Sequence, residues 1–199
     1  MLDPVGKKWL TPGLKKYFCI PTLDPNSANK SLSLSEDKCT VTVKDTDLPY
    51  SDHPDRFDSC LQVLCSTGLK GRWYWEVVWE ERMHSWEIDV AVSYRGIGRK
   101  GGSGVSGFGR NDKSWCLKIS RSGFIVIHED RQTRLSPTSY DTDRVAVYLD
   151  HAAGFLTFYK MKHKQLVHLH TFTSTFTEPL YAGFGFGSWS SGVTVSFGL

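Results

Sequence analysis

Gly96-Ile97-Gly98-Arg99-Lys100-Gly101 satisfies G-x-G-x-x-G, the spacing that lets a backbone close on a pyrophosphate. That chemistry needs a strand before the glycines and a helix after them, whose first amides face the phosphates. A strand pattern does precede, from Trp86 to Tyr94. On the other side lies a second glycine-rich run, then Ser114-Trp115-Cys116-Leu117-Lys118-Ile119, which alternates as another strand. With no helix to supply amides, the stretch reads as a long, mobile contact loop carrying Arg95, Arg99, Lys100, Arg110 and Lys113.

Other reactive residue types fail on spacing or context. Gly104-Val105-Ser106-Gly107-Phe108 approaches the G-x-S-x-G nucleophile elbow but lacks its last glycine. His128-Glu129 meets Gln132 where a zinc H-E-x-x-H needs its second histidine. The acidic pairs Glu129/Asp130 and Asp141/Asp143 could share acid–base work. Both sit beside turn residues, where carboxylates bond local backbone or water. His168 and His170 would share a strand face near His163, but a structural zinc needs four ligands and no cysteine lies near them. No catalytic residue, metal or cofactor is therefore expected.

The elements that hold these residues are strands. Lys30–Ser35 and Thr40–Val43 alternate polar with apolar. Arg72–Glu80 places Trp73, Trp75, Val77 and Trp79 on one face, with Tyr74, Glu76, Val78 and Glu80 on the other. Further strands are expected at 60–66, 85–94, 114–120, 123–129, 145–151, 154–161, 165–173, 178–186 and 192–198, with a tight hairpin at Asp150–Gly154. About a dozen strands and no long helix argue for an antiparallel β-sandwich. Val5–Leu10 and Leu14–Phe18 could each make a helical turn or two, so residues 1–12 read as a short extension of one body spanning 13–199.

A chain of 199 residues suits one domain, and 13% aromatic content with seven tryptophans favours strands. A net charge of +3 gives no field for nucleic acid or anionic membrane. Basic residues around Phe108 and Trp115 leave RNA or nucleotide binding as a runner-up. Five cysteines without a C-x-x-C pair read as buried thiols in a reducing, cytoplasmic setting, because MLDPVGKKWL lacks the apolar stretch of a secretory signal. Asn29-Lys30-Ser31 then reads as a chance sequon. Asp89, on a mostly apolar strand, either has a satisfied bond inside the fold or faces a ligand. Trp115 is either core or a binding anchor. The charge run Lys160–Lys164 reads as a solvated hairpin tip.

Several motifs carry a family resemblance. Leu23-Asp24-Pro25-Asn26-Ser27-Ala28 with Leu32-Ser33-Leu34-Ser35-Glu36-Asp37 resembles the opening of a PRY segment. Gly71-Arg72-Trp73-Tyr74-Trp75-Glu76-Val77 resembles the start of a SPRY body. Asp112–Trp115, Arg144–Asp150, Gly154–Tyr159 and Phe176–Tyr181 come next in family order, so the resemblance covers 13–199. PRY would occupy about 13–60 and SPRY about 61–199. The resemblance implies a bent two-sheet sandwich that recognises proteins through loops at one end. It belongs to the kind that ends tripartite-motif ubiquitin ligases, butyrophilins, fish NACHT-type receptors and stonefish toxins. Tyr50–Phe57 and Thr173–Leu180 look like the fish members.

By the same resemblance the variable loops are Lys44–Cys60, Ser93–Ser114 and His128–Arg144. The protein-binding residues are expected to be Asp55, Arg56 and Phe57 from the first loop. Tyr94, Arg95, Arg99, Lys100, Phe108 and Arg110 come from the second, and Arg131 and Arg134 from the third. Asp89 and Trp115 would floor a pocket between them, while Arg95, Arg99, Lys100 and Arg110 steer acidic partners. Ile127 stands where many relatives carry an aromatic residue, and Glu80–His84 is a longer charged turn. The implied partner is a host or pathogen protein. The parent would be a tripartite-motif ligase of innate immunity, or alternatively a NACHT-type receptor. In a ligase parent, oligomerisation would come through the parent's coiled coil, and no membrane partner is expected.

Overall fold

A computed structural model describes residues 13–81, 85–135, 142–163 and 165–198. The expected turns at Val5–Leu10 and the carboxylate of Asp141 lie outside the described residues. The period-two segments become two antiparallel sheets. The seven-stranded sheet runs β1 (Leu32–Leu34), β2 (Thr40–Val43), β13 (Thr194–Phe197), β4 (Arg72–Glu80), β9 (Arg144–Asp150), β10 (Phe155–Lys162), β11 (Gln165–Thr173). The six-stranded sheet runs β3 (Gln62–Leu64), β12 (Leu180–Phe186), β5 (Glu87–Tyr94), β6 (Ser114–Ser120), β7 (Gly123–His128), β8 (Arg131–Arg134). This is the all-β sandwich that the alternation implies.

Parity decides what is inside. Trp75, Val77 and Trp79 of β4 meet Ile88, Val90 and Val92 of β5 and Trp115, Leu117 and Ile119 of β6 in the main core. The opposite face of β4 is not left to water. Leu14 of the 3-10 turn Gly13–Tyr17 packs on Tyr74, Ala146, Tyr148 and Tyr159. Beneath it Glu76 is buried, accepting from the Tyr74 hydroxyl at 2.7 Å and from Arg144 Nη1 at 2.8 Å. A buried carboxylate is tolerable only with such partners.

Four expectations change. The third loop is not wholly irregular, because β8 pairs with β7 from Ile125↔Arg134 to His128↔Arg131. A left-handed turn at Glu129 and Asp130 (φ 51° and 60°) connects them. The glycine run holds one helical turn, α1 (Ser103–Ser106). β11 shifts register between Phe158 and Tyr159, so His170 faces Phe158 and His168 faces Tyr159. Those two partners point to opposite faces, and the histidines therefore do not share one. Finally, Lys160 is buried rather than solvated with its hairpin tip.

Candidate protein-binding surface

The site begins with the outer face of the six-stranded sheet. Register aligns two rows across it. One runs Leu64, Gly183, Ala91, Cys116, Ile127, and the next runs Gly185, Asp89, Lys118, Ile125, Arg134. Loop residues Phe57, Ile97 and Phe108 cover the first row as a small second core. Phe57 and Phe108 meet edge to face at 5.9 Å between centroids. Glycine makes the close approach possible, since a Cβ at Gly183 would stand 3.0 Å from Phe108 Cζ. Gly109 adopts φ +76° directly over Ile127, a conformation that L side chains rarely take. Ile127, where many relatives carry an aromatic residue, lies buried directly beneath the loop.

The first two variable loops are joined above this core. Arg95 Nη2 lies 2.6 Å from Asp55 Oδ2 and 3.6 Å from Asp24 Oδ2. Arg99 donates to the Asp55 and Arg95 carbonyls at 3.0 Å and stacks over Phe57. Lys100 Nζ donates to the His53 and Arg56 carbonyls, and the Gly101 amide donates to Asp58 Oδ1. Arg110 closes on Asp130 at 2.5 Å, which joins the third loop to the second. The first two loops and the β7–β8 turn meet here. Arg95, Arg99, Lys100 and Arg110 thus hold the loops together while Arg95 and Lys100 keep an exposed surface, and the loop is pinned rather than mobile. Arg56 is buried among the carbonyls of Ser51, Pro25 and Ala28, and Phe57 and Phe108 are core.

Two amides of the motif itself are committed inside the fold, Ile97 N–H to the Tyr94 carbonyl and Gly101 N–H to Asp58 Oδ1. The glycine motif therefore serves packing. A Cβ at Gly98 would come within 2.5 Å of Val105 Cγ1, and Gly101 sits at φ +95°.

Asp89 and Trp115 do not form one floor, because β6 alternation puts Trp115 inward and Lys118 outward. Trp115 is 2% exposed. It stacks on His128 at 4.6 Å and meets Tyr94 and Phe176 edge-on. Tyr94 is tied in turn, its hydroxyl accepting from the Thr177 amide. Asp89 lies on the opposite face, in the second row, which the loops cover only in part. Its side chain is 15% exposed, and Lys118 Nζ stands 3.6 Å from Oδ1 and 2.9 Å from Glu87 Oε2. Oδ1 has no hydrogen-bond partner among the described residues. Burial raises the Asp89 carboxyl above its ordinary value, with Lys118 working against that rise. Burial works to lower Lys118, but Asp89 and Glu87 outweigh it and hold the amine above its usual range.

Arg134 ends the same row on the exposed edge, while Arg131, opposite His128 at the other end of β8, points to the other face and is 86% exposed. Sequence reasoning passes over Gln62, which clamps the loop from β3, and over Lys118. A lone polar residue inside each apolar strand is the signal that finds them. The Asn29 amide donates to the Phe57 and Asp58 carbonyls, so this sequon is structural within the fold.

Comparisons agree with this geometry. The model of the SPRY-associated domain, PRY, matches residues 21–69, and that of the SPRY domain matches 72–199. The chain is 39% identical over 175 residues to stonustoxin subunit beta of Synanceia horrida, covering 87% of this chain and 24% of that protein. It is 38% identical over 167 residues to tripartite motif-containing protein 14 of Mus musculus, covering 83% of this chain and 37% of that one. The stonustoxin structure superposes with a TM-score of 0.82 at 35% identity, covering 94% of this chain and 28% of that one. The TRIM65 PSpry domain superposes at 0.80 and 26% identity, covering 100% and 98%. The chain thus spans about a quarter to a third of the full-length relatives it matches.

Proposed function

This chain belongs to the PRY–SPRY family, and from that footing we propose that it is the protein-recognition module of a longer polypeptide. It grips its target over the outer face of the six-stranded sheet. One observation carries the reading. The first two loops and the β7–β8 turn are tied into a plate over part of that face, and the adjoining row from Asp89 reaches solvent at its Arg134 end. A rigid rim beside a polar row that opens at one edge is what a preorganised binding surface requires.

We place the module in a tripartite-motif ligase that acts in the cytoplasm in innate immunity, where it selects the substrate while ubiquitin transfer occurs elsewhere in the parent. The 38% identity to the mouse tripartite-motif protein supports this. So do the five free thiols. Self-association would come from the parent's coiled coil. The 39% identity to a stonustoxin subunit favours a second reading, in which the module recognises a target for a toxin-type parent.

The test is affinity capture from cytosolic lysate, read by mass spectrometry, with wild type against Asp89→Asn/Arg134→Glu. Both positions tolerate polar exchange, so the melting temperature should hold. A protein retained by wild type and lost from the variant is the expected result. Equal recovery by both would remove this face from the proposal.

A further inference from the structure

The edge of a sheet is a row of unpaired amides and carbonyls, ready to bond another strand unless something blocks it. Three of the four sheet edges here are blocked. β1 has three residues and yields the Leu32 carbonyl to the Tyr50 hydroxyl. β3 is covered, its Gln62 and Leu64 carbonyls taken by the Asn29 and Asp24 amides and its Leu64 amide by Ser27 Oγ. β8 has four residues with an arginine at each end. The fourth edge is β11, nine residues without a Lys, Arg, Asp or Glu. Its two histidines are held below their ordinary value by burial and are neutral at neutral pH. Among the described residues β11 pairs with β10 alone.

The ground beside β11 is shaped for one strand. Phe172 meets His128 edge-on at 6.1 Å, so β7 lies beneath β11. β8 comes next, and its register points Arg131 and Thr133 inward, opposite His128 and Val126. Both are nevertheless exposed, so β8 projects past β11 with its inner face uncovered. A strand added to β11 would lie over β8, at the ordinary spacing of two packed sheets. A second copy of this chain does not fit there. Pairing β11 with itself in one sheet needs a two-fold axis perpendicular to that sheet, which drives the projecting β8 of each copy into β7 of the other. The register shift at Phe158 and Tyr159 also divides the edge into the runs Gln165–His168 and His170–Thr173, which limits pairing to a short segment. No charge is selected, since β11 carries none and Arg131 has Glu129 at 3.9 Å.

We propose that β11 is a strand-addition site for a short extended segment of another protein, which pairs its main chain with β11 and lays alternate side chains over Arg131 and Thr133 of β8. Main-chain bonds hold the segment, so the site selects a conformation more than a sequence. This surface is separate from the outer face of the six-stranded sheet, and the proposal does not depend on recognition there.

The test pans a phage-displayed library of short random linear peptides on the wild-type chain. Enriched peptides are synthesised and measured on wild type, on Val167→Lys/Thr173→Lys and on Asp89→Asn/Arg134→Glu. Val167 and Thr173 are exposed, so the lysine variant should keep its melting temperature, which excludes misfolding. Lysines on an edge oppose strand addition. The expected peptides lose about tenfold or more in affinity on that variant and bind the Asp89/Arg134 variant as they bind wild type. They also fail when one alternate set of their amides is N-methylated and survive methylation of the other set, because only one edge of an added strand is paired. A wild-type chain that enriches no peptide overturns the proposal. So do peptides that all bind the lysine variant undiminished, or that respond alike to both N-methyl sets.

Discussion

Trp115 and Asp89 look alike from the sequence, each a conspicuous residue on a strand that a ligand could touch. Strand pairing separates them. Asp89 sits opposite Lys118 and Val92 opposite Trp115, so one residue faces outward and the other fills the core. Trp115→Ala is therefore expected to destabilise the fold by about 3–5 kcal/mol, the usual result of emptying a buried aromatic site, measurable by urea denaturation. A change near zero would mean the ring is not core. Asp89 makes the opposite expectation. Its folded pKa is raised by burial, so its contribution is favourable below the ordinary carboxylate value and is lost as pH rises through the folded one. Asp89→Asn should thus be at least as stable as wild type at neutral pH, with the difference closing as pH falls toward about 4. A variant less stable than wild type at neutral pH would show that the pairing with Lys118 outweighs burial. Gly109→Ala should cost more than a usual glycine-to-alanine change of about 1 kcal/mol, because its Cβ would meet Ile127 at 2.7 Å in a left-handed backbone.

At the scale of elements, the strands of the main core are legible because alternation is a local signal. Arg72–Glu80 shows both of its faces in nine letters. β8 is not legible, since Arg-Gln-Thr-Arg carries no apolar alternation and is exposed along its whole length. The bulge that parts His168 from His170 is likewise a property of pairing rather than of spacing. The fate of the loop cations depends on contacts such as Arg95 to Asp24, 71 positions apart by number (95 − 24), which no local pattern encodes. What the sequence does show is Gln62 as a polar residue in an apolar run. Removing it with Gln62→Ala would strip partners from the Phe108 amide and the Ser106 carbonyl. Stability should fall by roughly 1–3 kcal/mol, and backbone exchange should quicken at Ser103–Gly109 while β4 and β9 keep their protection. Exchange that quickens everywhere equally would mean the loop plate has no unit of its own. β11 gives a pH expectation. Burial lowers His168 and His170 below the ordinary histidine value, so their contribution is present above the ordinary value and is lost as pH falls from there through the lowered folded value. Amides of β11 should therefore exchange with less protection at about pH 5.5 than at about pH 8, after correction for intrinsic rates.

At the scale of the whole molecule, the two outer faces of the sandwich are finished differently. On the seven-stranded sheet, Leu14, Tyr17 and Phe18 cover β4, β9 and β10 over a buried Glu76 cluster. The six-stranded sheet is plated in part by pinned loops, and its second row emerges to solvent at Arg134. That asymmetry, rather than any single residue, supports the proposal that recognition lies on the second face. It also explains why fold and family are plain from motifs in order, while the site is not. Motif residues such as Trp73–Val77 and Arg144–Asp150 build the core, and the surface beside it is assembled from loops that meet only after folding. The most direct measurement is a hydrogen-exchange footprint of the chain with and without a partner captured as above. Slowed exchange confined to Gly96–Lys113 and Arg131–Arg134 is the expected result. Slowing on the outer face of β4, β9 and β10, with those loops unchanged, would contradict the assignment.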